Sequence, residues 1–289
     1  MKYFYKYIIF VVKFLIKNSV YLFFKIFGKW KLFLFINETM NFYSKQNIKK
    51  IVYKGTELKF VFSTTLLFER VKTFSTKEPE TLEWIDNIPT GSVLWDIGAN
   101  IGLYSCYAAI SKKIQVVSFE PSVFNLEILA RNIYLNNLCD LITIVPLPLS
   151  DKTKTGKLRL SSTSLGGAMS TFDNQFGFDG NKLNQIFEYS TNSITMDDAI
   201  DKLCLPSPDY IKLDVDGIEH LILSKGINVL KNTKGIILEI NKSFTDQFQK
   251  SKEYLINSGF KFSHEKNLNF NINNNEEENL AYNQVWIKK

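Results

Sequence analysis

From Ser92 onward the chain alternates two apolar spacings. Short, near-continuous apolar runs are "SVLWDI" (92–97), "IQVVSF" (114–119), "LITIVPL" (141–147), "YIKLDV" (210–215) and "KGIILEI" (234–240). Between and after them, apolar residues recur at helical intervals over Leu103 to Ser111, Asn125 to Leu135, Ile218 to Lys225 and Thr245 to Asn257. A strand covered on both faces has no polar side to alternate with, so the pattern predicts parallel strands joined by crossover helices. The fold class that follows is α/β, a doubly wound, mostly parallel sheet with helices on both faces and ligands at the carboxyl ends of its strands. Two further strands are expected at "FKFSH" (260–264) and "LAYNQVWIKK" (280–289), joined by the polar "NLNFNINNNEEEN" (267–279).

Three segments fall outside this rhythm. Residues 155–180, "TGKLRLSSTSLGGAMSTFDNQFGFDG", are rich in Gly, Ser and Thr and are expected to lie off the core. A loop of that length beside a ligand-bearing edge reads as a lid or acceptor-binding element. Residues 37–91 form a lead-in whose amphipathic "FERVKTFSTKEPETLEWID" (68–86) is expected to pack beside the sheet, and residues 1–36 form a separate arm, which leaves 92–289 as the ligand-binding domain.

Charge singles out the arm. The chain carries a net +6, but residues 1–60 hold 12 lysines against Glu38 and Glu57, a balance of +10 that leaves −4 for the other 229 residues. Lys2, Lys6, Lys13 and Lys17 share one face of a helix. The longest uncharged stretch, Asn18 to Phe24, is far short of the ~20 apolar residues of a spanning helix, and no small-residue cleavage site follows an apolar core. The arm therefore reads as a helix lying in a membrane interface with its lysines at anionic headgroups, or as one that docks its apolar face on protein. Nucleic acid is disfavoured, because the arm lacks the arginine that phosphate and base recognition favour. The cysteines Cys106, Cys139 and Cys204 form no CxxC pair, and His220 and His264 lie far apart. Neither a disulfide framework nor a histidine-based zinc centre is indicated, and the setting expected is cytoplasmic, peripheral on the inner membrane face if the arm binds lipid.

The candidate chemistry begins in "WDIGANIGLYS" (95–105). Asp96 ends one strand, Gly98 and Gly102 flank the turn, and Glu120 closes the next strand. Gly98 permits a close approach of main chain to ligand, Gly102 permits tight helix packing, and an acid at Glu120 can accept the hydroxyls of a ribose. The pattern DxGxxxG is not the GxGxxG of dinucleotide sites, and a carboxylate at Asp96 would repel a pyrophosphate. It suits a cofactor with a positive end, S-adenosylmethionine, which offers an ammonium group and a sulfonium. Ser150 and Asp151 follow the third strand, placed to accept an adenine amino hydrogen or to form a plain turn. In "IKLDVDGIEHLIL" (211–223), Asp214, Asp216 and Glu219 crowd the same edge, and Glu239 ends the strand after it. Such carboxylates serve as general base for a hydroxyl, or hold an ammonium group or a divalent metal. Asp216 before Gly217 is equally a helix cap, and His220 either a second proton acceptor or a helix-surface residue.

These motifs resemble the FkbM family of S-adenosylmethionine-dependent methyltransferases. The resemblance is carried in order by "STKEPETLEWID" (75–86), "GSVLWDIGANIGLYSCYAA" (91–109), "VVSFEPSVFNLEILARNIYLNN" (116–137), "LSD" (149–151), "SITMDDAI" (193–200), "YIKLDVDGIEHLIL" (210–223) and "ILEI" (237–240). It implies the class I sheet of seven strands with the seventh antiparallel, and O-methylation of a hydroxyl on a sugar, polyketide or related metabolite. It further implies that Asp96, Gly98 and Asn100 line the methionine end, that Glu120 holds the ribose, that Asp151 lies near adenine and that Asp214 faces the transferred methyl. Pro148 departs from the alanine more frequent in that family, and residues 1–36 lie outside the match. Asp214 is then the first candidate for base or metal ligand, with Glu239 and His220 as rivals, and a lipid-linked glycan the acceptor expected of a membrane-surface enzyme. The competing readings are a non-catalytic, membrane-tethered nucleotide-binding protein and an NAD-dependent oxidoreductase.

Overall fold

The computed structural model describes residues 2–27, 31–267 and 281–288, and the chain divides into two compact units, Met1–Asn47 and Ile48–Lys289. The first unit holds helices α1 (Lys2–Phe27) and α2 (Lys31–Lys45), so the helical arm expected over 1–36 runs on to Lys45. On α1, Lys13 and Lys17 are exposed, and so are Phe14, Leu15, Ile16, Val20, Tyr21 and Leu22. Among the described residues, no helix is long and apolar enough to cross a membrane.

The second unit opens with a hairpin, β1 (Ile48–Tyr53) and β2 (Thr56–Val61), and three short helices, α3 (Thr65–Lys72), α4 (Phe74–Lys77) and α5 (Pro79–Asp86). Thr64 caps α3 by accepting the Leu67 N–H, and Pro79 begins α5 where its missing N–H leaves no bond unmade. The main sheet then starts with β3 (Val93–Ile97), followed by α6 (Leu103–Lys112), β4 (Gln115–Phe119), α7 (Val123–Leu135) and β5 (Ile142–Val145). An insertion follows, consisting of β6 (Lys154–Leu160), β7 (Ser170–Phe172) and β8 (Phe187–Ser193). The chain returns through α8 (Met196–Leu203) to β9 (Tyr210–Leu213), α9 (Glu219–Leu223), α10 (Ile227–Asn232), β10 (Gly235–Asn241) and α11 (Thr245–Asn257). The last strands are β11 (Lys261–Asn267) and β12 (Ala281–Ile287).

The seven-stranded sheet runs β11-β12-β10-β9-β3-β4-β5. Strands β10, β9, β3, β4 and β5 pair in parallel, and β12 is antiparallel to both β10 and β11. From β3 the chain first builds outward through β4 and β5, then returns to the other flank of β3 with β9. That reversal opens a crevice at the carboxyl ends of β3 and β9. The near-continuous apolar runs have a direct cause in the two cores. On β3, Trp95 and Ile97 face one core with Val117, Phe119, Ile211 and Leu213, while Leu94 faces the other with Val116 and Ile237.

The lead-in supplies much of the second core, through Leu58, Phe60, Phe74, Leu82 and Ile85. Asn132 of α7 and Asn136, which caps that helix, fasten the lead-in hairpin. The Val61 N–H donates to Asn132 Oδ1 at 3.0 Å, and the Lys59 N–H to Asn136 Oδ1 at 2.9 Å. The insertion departs from expectation. It is a three-stranded antiparallel sheet, ordered β7-β6-β8, rather than a loop off the core. Leu158 and Leu160 on β6 and Phe172 on β7 are buried in the first core, because alternate side chains of a strand share one face.

Candidate functional site

The turn after β3 is shaped by close approaches. Gly98 has φ +84°, and a Cβ there would lie 1.8 Å from the Asp214 carbonyl oxygen, so no other residue fits between the ends of β3 and β9. The Gly98 and Ala99 N–H groups both donate to the Phe119 carbonyl at 3.0 Å. Asn100, at φ +51°, donates its N–H to Glu120 Oε2 at 2.8 Å, and the Ser122 N–H donates to Glu120 Oε1 at 2.8 Å. Burial pushes the Glu120 carboxyl up to about 7 against these hydrogen bonds. The Asn100 amide donates to the Gly167 carbonyl at 2.7 Å, and its Oδ1 is buried with no partner. Gly102 serves packing, since a Cβ there would meet Leu129 of α7 at 2.4 Å.

These residues open onto a cavity of about 1150 Å³. Its lining includes Gly98, Asn100, Glu120 and the apolar Phe119, Leu147 and Leu149. It also holds a set of charged side chains, Arg70, Lys77, Glu78, Lys212, Asp214, Asp216 and Glu239. The insertion forms a wall through Gly167 to Ser170, Phe172 and Phe178. It is held down at several points. Arg70 Nε donates to the Gly166 carbonyl at 2.6 Å, Asn125 Nδ2 to the Gly167 carbonyl at 3.0 Å, and Asp216 Oδ2 accepts the Met169 N–H at 2.7 Å.

The expected carboxylate cluster is dispersed by its partners. Lys212, 4% exposed, donates to Asp214 at 2.8 Å. Burial works against the Asp214 charge, but Lys212, with help from Lys77 and Arg70, more than offsets it and holds the carboxyl below its usual range. Burial and the neighbouring Asp214 push Asp216 up to about 6. Glu239 is raised well above the ordinary range by burial and by the charges of Asp214, Glu78 and Asp216. Glu219 is turned inward, accepting the Val215 and Gly217 N–H groups and the Gln247 amide. Among the described residues, no group of three or more His, Cys, Asp or Glu side chains is placed to hold a metal ion.

Besides Gly102, which serves packing, four expected site residues do not line the cavity. Asp96, 1% exposed, lies beneath the turn, where Ser105 donates to its Oδ2 at 2.5 Å and its Oδ1 has no partner. Alternation along β3 turns its side chain to the face covered by α6, opposite Trp95 and Ile97. Ser150 and Asp151 bond to each other, and the cavity wall there is Leu147, Pro148 and Leu149 instead. His220 is buried at 7% exposure with its ring edge-on to Phe244, and burial lowers its proton affinity. Sequence reasoning missed Lys212, although a lysine inside the buried run "YIKLDV" was a usable signal, since a strand covered on both faces admits a cation only with a partner. Lys77, Glu78 and Arg70 come from the lead-in and carry no such signal.

Residues 96–280 match the family model described as "Methyltransferase FkbM domain". The hexuronic acid methyltransferase AglP of Haloferax volcanii is 29% identical over 151 residues, 52% of this chain and 56% of that relative. The chain thus spans little more than half the length of the curated relative it matches. A Streptococcus mutans structure, assigned as a SAM-dependent methyltransferase, superposes with a TM-score of 0.50 at 12% identity, covering 83% of this chain and 55% of that one. This likeness is one of fold.

Proposed function

Because the chain belongs to the FkbM methyltransferase family, we propose that it is an S-adenosylmethionine-dependent O-methyltransferase acting on a hydroxyl of a sugar, glycan or related metabolite. The observation that carries this reading is the continuity of one cavity from the Gly98–Asn100–Glu120 turn to the charged ends of β9 and β10. The residues present fit the cofactor. Gly98 leaves the main chain bare, Asn100 Oδ1 is an unpartnered acceptor, Glu120 offers carboxylate oxygens, and the acids Glu78, Asp214, Asp216 and Glu239 on the same cavity suit a cation. The hexuronic acid named for the Haloferax relative supports a sugar acceptor.

When bound, S-adenosylmethionine supplies an electrophilic methyl group on sulfur. The protein's part is positioning and electrostatics. Asn100 and Glu120, locked to one another, fix one part of the lining, and the Lys212 pair keeps Asp214 ionised. The insertion wall, fastened by Arg70, Asn125 and Asp216, limits water around the reacting groups. Calorimetry with S-adenosylhomocysteine and with NAD tests the reading. Binding of the first alone is expected, and binding of NAD alone would replace it with the oxidoreductase reading.

The arm supports a peripheral membrane position on an anionic, cytoplasmic face. Apolar side chains of α1 stand in solvent beside Lys13 and Lys17, the arrangement of a helix that lies in the headgroup layer. Flotation with anionic vesicles is expected for the full chain and lost without residues 1–47. Equal flotation of both forms would refute it.

A further inference from the structure

We propose that Glu239, rather than Asp214, takes the proton from the acceptor hydroxyl, an inference that rests on the transferase reading above. Glu239 lies one residue beyond Leu238, the last position of β10 paired with β9, so it stands at the sheet's carboxyl edge, level with Asp214, on the cavity wall. Among the described residues, no hydrogen-bond donor is directed at its carboxyl. Asp214 is differently placed. Lys212 holds it at 2.8 Å, and a proton delivered there would dissolve a buried ion pair. His220 does not reach the cavity, and Asp216 is committed to the Met169 and Ser170 N–H groups.

The groups around Glu239 make it the more basic carboxylate. Asp214 and Asp216 face it from the segment after β9 and Glu78 from the start of α5, all three favouring the protonated form, while Lys77 of α4 opposes them. Its antiparallel neighbour on β12, Asn283, turns its amide to Glu80 at 2.9 Å and leaves Glu239 unbound. A base acts best when its proton affinity lies near the working pH, which the ion pair denies to Asp214.

The step balances. The acceptor oxygen forms its bond to the methyl carbon of S-adenosylmethionine as its hydroxyl proton passes to a Glu239 carboxylate oxygen. The carbon–sulfur bond breaks, and its electron pair stays on sulfur, giving S-adenosylhomocysteine. Because the base must be ionised to act, turnover should fall as pH drops through the Glu239 ionisation.

The test uses the full chain, labelled S-adenosylmethionine as donor, and as acceptor the undermethylated glycan fraction extracted from a deletion strain. Glu239→Gln should lower turnover by about 100-fold or more, the scale of a lost general base, while S-adenosylhomocysteine affinity stays within about threefold. Glu239→Asp should retain part of the activity and the pH dependence. Infrared titration provides a readout independent of turnover: the difference between wild type and Glu239→Gln should contain one carboxyl ionising above the ordinary glutamate range, while the raised carboxyls of Glu120, Glu219 and Asp216 are common to both and cancel. Turnover of Glu239→Gln within about threefold of wild type, a matching loss of cofactor affinity, or a difference spectrum without that band would each overturn the assignment. Absence of label transfer by the wild-type chain would instead remove the transferase reading, and this proposal with it.

Discussion

Replacing Gly98 by alanine, with Gly91→Ala as its matched partner, isolates the close approach on which the site depends. The two glycines share a backbone conformation, φ +84° and +83°, but differ in surroundings. At Gly91 a Cβ meets nothing within 4 Å, whereas at Gly98 it would lie 1.8 Å from the Asp214 carbonyl oxygen and 2.8 Å from its carbon. Holding alanine in a left-handed conformation costs about 1–2 kcal/mol, offset by about 0.4–1 kcal/mol from a stiffer unfolded chain. Both variants carry those terms, so their difference is the steric one, about 1–3 kcal/mol for forced overpacking. For a unit of this size that corresponds to a gap of about 2–12 °C in melting temperature. Urea and thermal unfolding measure it. Calorimetry with S-adenosylhomocysteine should show affinity retained in Gly91→Ala and reduced at least about tenfold in Gly98→Ala, as the Asp214 segment is pushed from the turn. Stability losses equal within about 0.5 kcal/mol would refute the reasoning.

Three other outcomes follow from buried charge. Lys212→Met leaves Asp96 and Asp214 without their cation and should cost about 3–5 kcal/mol in urea unfolding, while a loss under about 1 kcal/mol would show that the pair is dispensable. Glu219 is buried with its carboxyl raised to about 7, so its favourable contribution is complete below its unfolded value and is lost as pH rises through about 7. Unfolding measured from about pH 5 to about pH 8 should therefore show a shallower decline in Glu219→Gln than in wild type, and identical slopes would contradict the assignment. Glu120→Gln replaces one acceptor of the Asn100 and Ser122 N–H groups by an amide, and S-adenosylhomocysteine affinity should fall about tenfold or more; unchanged affinity would take Glu120 out of the site.

The parallel strands were legible because burial on both faces leaves no alternation to confuse. "SVLWDI" appears as Val93–Ile97, and Thr245–Asn257 is α11 as expected. The insertion was obscured by composition. "KLRL" does alternate, with Leu158 and Leu160 inward, but the Gly, Ser and Thr around it suggested a loop, and β8, "FEYSTNS", presents few apolar residues to signal a strand. Gly98, Asn100 and Glu120 could be read because one turn and the next strand end bring them together. The Lys212–Asp214 pair and the lead-in residues Arg70, Lys77 and Glu78 become neighbours only through tertiary packing, which no local spacing records. The contact of Asp96 with Ser105 is likewise tertiary, since the spacing of the turn does not record which face of β3 its carboxylate takes.

The insertion leaves and rejoins the main sheet at a narrow neck. Leu149 and Ile194 bridge in parallel, the Ser150 N–H donates to the Ile194 carbonyl, and the Ile194 N–H donates to the Pro148 carbonyl. The segment from Ser150 to Ser193 therefore enters and leaves the main sheet at two adjacent backbone joints, while Gly98, Asn100 and Glu120 lie at strand ends outside it. In design terms the wall is a cassette. Under the transferase reading proposed above, exchanging it at Leu149 and Ile194 would re-cut one wall of the cavity while Gly98, Asn100 and Glu120 stay in place, provided the graft preserves the backbone atoms that Arg70, Asn100, Asn125 and Asp216 grip.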